Sequence, residues 1–245
     1  DLDQAAERLA GWPGRYHVTV AGPWTLAAAV AKGGGEAVLA DLGARRDLGQ
    51  AWVEAVAAWH GRAARLTGLA VGVQVDEPSL PLVMAGGLKT QSGLRRHDPV
   101  DPAAVILLYD GLAERLAAAG AAELAVHCCA PGLDVALMRA AGFTTVSLDA
   151  GRLGQAAVDA LAEHWEAGGA VWLGVVPTDR PAAALPTFDA LADRTRRLLD
   201  NLGADPASDR VAVTPACGLA GFSLDGAAAT ARLLTRLAAA AADGL

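Results

Sequence analysis

The sequence predicts an α/β protein, a TIM-type (β/α)8 barrel in which strands 3 to 8 are represented. Six short apolar runs, rich in β-branched residues, recur along the chain and close on a polar, glycine or proline signal. Helical patterns separate them, and the runs are apolar on both faces, as in a parallel sheet covered by helices. Asp76, His127, Cys129, Asp149 and Cys217 fall at or just beyond the C-terminal ends of four different runs. Barrel active sites are assembled in that way, from strand ends around a ring. The competing architecture is an open doubly wound sheet, but no G-x-G-x-x-G opens a helix here, so its dinucleotide-binding form lacks its main signature.

The strands are expected at 16–22 (YHVTVAG), 69–78 (LAVGVQVDEP), 123–129 (ELAVHCC), 143–149 (FTTVSLD), 170–178 (AVWLGVVPT) and 210–218 (RVAVTPACG). Apolar positions at spacings of three and four predict helices over 47–68, 101–120, 153–169 and 185–203, and a closing helix over 222–244. Glycines stop them, and Asp101–Pro102 starts the second. Between Pro78 and Asp101 periodicity is weak, and the segment carries Gly86–Gly87, Ser92–Gly93 and Arg95–Arg96–His97. Two readings stand for it, a binding loop or lid and a disordered surface excursion. Six strands of an eight-stranded closure imply a chain that begins inside the barrel. Residues 1–245 are then one domain whose first two βα units are absent.

At 245 residues and 53% hydrophobic, the chain can bury a sizeable core. Its net charge of −7 argues against nucleic acid or an anionic membrane as partner. Three cysteines, two of them adjacent, give no disulfide framework, which fits a reducing cytoplasm. The first residues lack the basic and apolar pattern of a secretory signal, and no apolar run reaches the length of a membrane span.

LAVHCCAPG (124–132) carries the chemistry. Residues two apart share a face of a strand, so His127 and Cys129 can point together while Cys128 points the other way. Imidazole nitrogen and thiolate sulfur are both zinc-type donors. Cys217 and Asp149, at other strand ends, complete a candidate set of one His, two Cys and one carboxylate, and two soft thiolates favour zinc over magnesium or calcium. The ordinary alternative is a set of small buried core residues. A zinc there could hold a substrate thiol as thiolate, or supply a bound hydroxide for hydrolysis; thiolate-rich zinc suits the first better. In VQVDEPSLP (73–81), Asp76 and Glu77 turn to opposite sides of the strand end, and Asp76 shares a parity with Gln74. Its carboxylate could hold an ammonium group, or serve as a helix cap or loop salt bridge.

The order GPWT, VQVDEPSLP, HCC, SLD, GVVP and PACGL resembles the catalytic barrel of cobalamin-independent methionine synthase, from about Val18 to Leu219, and is similar to the short single-barrel forms of high-GC bacteria. The resemblance implies zinc-dependent transfer of a methyl group to the thiol of homocysteine, giving methionine. Its partners would be homocysteine and a methyl donor, methylfolate or a corrinoid protein. By position, His127, Cys129 and Cys217 match the family's zinc ligands, and Asp149 stands where the family has a glutamate. Asp76 matches the aspartate that holds the homocysteine amino group. Glu77 of the same motif joins it, with Gly22, Pro23 and Thr25 matching the third-strand motif beside the site. Asp179 lies near the place of a family histidine assigned to proton transfer, which here is replaced by the run Val176–Pro177–Thr178–Asp179, and so is the candidate catalytic residue. The closing Thr and Arg of the family's CGL-x-Thr-Arg are lost, since Cys217–Gly218–Leu219 is followed by Ala220–Gly221–Phe222.

Three further readings stand beside this one. A related methyltransferase could act on another thiol or from a corrinoid donor. A metal-free barrel of the uroporphyrinogen decarboxylase kind would need an arginine-lined mouth, for which Arg95, Arg96 and Arg180 are the candidates. A non-catalytic descendant would keep only zinc or thiol binding.

Overall fold

The computed structural model describes residues 2–181 and 184–244. It divides into two units, one of residues 1–127 with 137–144 and one of residues 128–136 with 145–245. In the first unit, β1 (Tyr16–Ala21), β2 (Val71–Asp76) and β3 (Leu124–Cys128) run parallel in that order, with Val18 beside Val73 and Asp76 beside His127. β3 ends by carrying the chain into the second unit. There β4 (Thr145–Asp149), β5 (Ala170–Val176) and β6 (Val211–Pro215) are again parallel and in chain order. Six parallel strands with intervening helices make an α/β fold with the repeating unit of a (β/α) barrel.

The first unit's helices show why the strands stack as they do. α3 (Leu42–Thr67) opens on Asp41, whose carboxylate accepts from Gly43 N and Ala44 N, and closes on Gly68 in the left-handed region at φ 67°. α5 (Pro102–Ala118) opens on Asp101 with proline in its first turn and buries Val105, Tyr109, Leu112 and Leu116. Tyr109 meets Trp52 of α3 and Phe143 edge-on, with ring centres 6.2 and 4.9 Å apart. The Trp52 indole N–H donates to Ala21 O at 2.8 Å, tying α3 to the end of β1.

In the second unit, α7 (Gln155–Glu166), α8 (Phe188–Leu202) and α9 (Leu224–Ala242) follow β4, β5 and β6. Thr187 and Ser223 cap α8 and α9 through their hydroxyl oxygens. Arg210 donates to Trp165 O and Gly169 O at 2.9 Å and lies over the Trp165 ring, joining the start of β6 to the end of α7. The β5–β6 register slips between Gly174 and Val176. A Cβ on Gly174 would stand 2.7 Å from Leu148 O and 2.8 Å from Ala216 Cα, so only glycine allows three backbones to approach this closely.

The strands are shorter than expected by up to two residues at the start and three at the end, where their closing residues leave the ladder. GPWT lies beyond β1 rather than within a strand: Pro23 opens a short helix, α2 (Pro23–Ala29). The weakly periodic stretch 78–101 holds α4 (Leu80–Met84) and a tight antiparallel contact between Lys89 and Arg96. Two more short helices, α1 (Leu2–Leu9) and α6 (Val135–Ala140), are also new to the structure. No described helix is long and apolar enough to cross a membrane.

Candidate metal centre

All five residues of β3 are buried, as expected of a strand covered on both faces. Alternation then separates the adjacent cysteines. Cys128 is buried and its sulfur reaches Ala130 O at 3.4 Å, whereas Cys129, just past the strand, is half-buried. Cys217 stands two residues beyond β6 and is exposed. The sulfurs of Cys129 and Cys217 lie 3.4 Å apart, 88 residues apart in sequence. That is far longer than a disulfide, about 2.05 Å. It is close to the roughly 3.8 Å between two sulfurs that share one tetrahedral zinc at about 2.3 Å each. The pair therefore fits such an ion.

Burial pushes the Cys129 thiol up to about 11, helped by the hydrogen bond with Cys217 and by that neighbour's charge. In metal-free protein, alkylation of Cys129 by iodoacetamide should therefore stay slow at pH 8 and rise only as the pH approaches 11. Mapping of the modified peptide against pH checks this, and a midpoint near that of a free thiol would contradict it.

Both cysteines line a cavity of about 540 Å³ in the second unit, together with Asp149, Arg152, Asp179 and Arg194. Asp149 ends β4, where one carboxylate oxygen accepts from Gly151 N at 2.7 Å and the other pairs with Arg152 Nε at 3.2 Å. Asp179 pairs with its neighbour Arg180 at 2.9 Å, and the hydrogen bond from that guanidinium holds its carboxyl below the usual range. Both side chains are exposed. Arg152 and Arg194 are functional candidates that sequence reading misses, because each sits in an ordinary polar or helical context. The first unit has a larger cavity, about 820 Å³ along α3 and α5, but its lining offers apolar and charged side chains and no thiol or imidazole.

In the first unit, His127 is buried at the end of β3, two residues before Cys129. Asp76, half-buried at the end of β2, accepts from Gln74 Nε2 at 2.7 Å, as their shared parity predicts. Glu77 is fully buried. One of its oxygens accepts from Trp24 N at 3.0 Å and from the Tyr109 hydroxyl. The other accepts from Thr25 N at 2.8 Å and Thr25 Oγ1 at 2.6 Å. Thr25 Oγ1 also accepts from Ser79 N at 3.3 Å. The GPWT and DEP motifs are thus locked to each other, and a side chain on Gly22 would collide with the Glu77 carboxylate. Tyr109, a single hydroxyl in an apolar helix, is the partner that no sequence pattern marks.

Strand ends, the turns after them and α8 bring thiols, carboxylates and arginines to one cavity, the arrangement found in α/β enzymes of the repeating βα class. The chain belongs to the family described as cobalamin-independent synthase, catalytic domain, whose model matches residues 30–242. That membership points to a methyltransferase-type enzyme of methionine biosynthesis. No curated protein matches the chain.

Proposed function

We propose that this chain carries out zinc-dependent transfer of a methyl group to the thiol of homocysteine, forming methionine. The observation that carries the reading is the Cys129–Cys217 pair, 3.4 Å apart beside a cavity in a chain of the synthase family. His127, Cys129 and Cys217 are the proposed zinc ligands, a donor set suited to this ion. When bound, zinc holds the substrate thiol as thiolate, the form that attacks a methyl group.

The remaining roles follow from the chain's own groups. Asp149 is the proposed fourth ligand, and would hold the ion through the oxygen that pairs with Arg152. Asp179, kept ionised by Arg180, suits accepting a hydrogen bond at the cavity rim better than storing a proton. Asp76 holds the substrate ammonium. Gly22, Pro23 and Thr25 shape the substrate side, and Glu77 acts through them by fixing the turn they form. The methyl donor is methylfolate or a methylated corrinoid carried by another protein, and the cytoplasm is the compartment that keeps these thiols reduced.

Zinc-supplied protein incubated with homocysteine should form methionine from methyltetrahydrofolate or from methylcobalamin. No methionine from either donor, with zinc bound, would overturn the assignment.

A further inference from the structure

The cavity beside the two cysteines is lined by three guanidinium groups and two carboxylates. Two of the arginines are committed, Arg152 to Asp149 and Arg180 to Asp179. Among the described residues, no ion pair includes Arg194. Arg194 is half-buried on α8, whose neighbouring Leu191, Ala192 and Thr195 are buried and fix that helix in place. One of its terminal nitrogens lies 3.4 Å from where a Cβ on Gly151 would stand, so its head lies over the turn that follows Asp149. A guanidinium presents a rigid fork of donors that matches a carboxylate or sulfonate in a two-point contact.

We propose that Arg194, flanked by Arg152 and Arg180, forms a subsite for the acid group of a substrate, beside the Cys129–Cys217 pair. Sulfur and acid are then read at two points of one cavity, which selects small thiols that carry a carboxylate or sulfonate over neutral ones. The same chemistry would equally seat an acid group belonging to the methyl donor, and the test separates the two sources. The inference rests on the thiol-handling role proposed above, but the acid subsite can be read without it.

The zinc-supplied protein is titrated calorimetrically with 3-mercaptopropionate, with 2-mercaptoethanol and with N-benzoylglutamate, an acid without a thiol. Arg194→Met and Arg194→Lys are compared, and zinc content and melting temperature are checked to stay at their wild-type values. If the acid belongs to the thiol, Arg194→Met costs 3-mercaptopropionate about tenfold in affinity and leaves 2-mercaptoethanol unchanged, as loss of a charge-assisted contact requires. Arg194→Lys should keep part of that affinity. If the acid belongs to the donor, N-benzoylglutamate alone loses its binding in Arg194→Met; this arm supports the subsite and needs no metal. Failure of the zinc assignment therefore leaves it readable. Equal binding of both acids to wild type and Arg194→Met would overturn the proposal.

Discussion

Replacing Cys217 by serine should strip zinc from the protein and cut methionine formation by roughly 100-fold or more, beyond the 10–100-fold typical of losing a group that only supports a ligand. A serine hydroxyl stays protonated near neutral pH and is a hard oxygen donor, so it replaces neither the charge nor the softness of a thiolate. Cys128→Ser is the matched control, because that sulfur is buried toward Ala130 O on the other side of the strand. It should lose some stability and keep its metal. Zinc measured after gel filtration decides the matter: equal zinc in wild type and Cys217→Ser would remove Cys217 from the ligand set.

Glu77→Ala should lower the free energy of unfolding by about 3–5 kcal/mol, because several buried hydrogen-bond donors lose their acceptor at once. The variant leaves two backbone N–H groups, the Thr25 hydroxyl and the Tyr109 hydroxyl without their common acceptor. Each buried donor left unmatched costs about 1–3 kcal/mol, partly recovered where water enters. The pH dependence has a definite sign. Burial raises the Glu77 carboxyl from its ordinary value of 4.5, against the opposing hydrogen bonds from Thr25, Tyr109 and Trp24. The folded state then binds this proton more tightly than the unfolded chain. Glu77's contribution to stability therefore falls as the pH rises from 4.5 through the folded value. Urea unfolding of wild type and variant across pH 4.5–8 measures it. A difference between them that grows with pH would contradict the raised value.

The strand-end chemistry is legible in the sequence because two rules suffice for it: period-two alternation, and the clustering of polar residues where parallel strands end. Those rules separate Cys129 from Cys128 and align Asp76 with Gln74. They also turn Glu77 away from Asp76, yet they do not say what it meets. Its donors come from Trp24, Thr25 and Tyr109, more than thirty residues away in either direction, and no local pattern announces them. Asp149 is a subtler case. Its position suggests a metal donor, while Gly151 two residues on supplies an N–H that also engages its carboxylate. Arg152 and Arg194 are invisible for the opposite reason, since arginine on a polar helix face is ordinary until the fold brings it to a cavity. The helices missed, α1, α2, α4 and α6, have too few turns for a 3.6-residue period to show.

The register slip beside Gly174 sets where the chain leaves β6, two residues before Cys217. Through Ala216, a backbone contact that touches neither donor acts as a spacer for one side of the sulfur pair. A side chain at residue 174 would push on Ala216 and so shift Cys217 without touching either sulfur, which leaves the sulfur spacing open to change from a position outside the site.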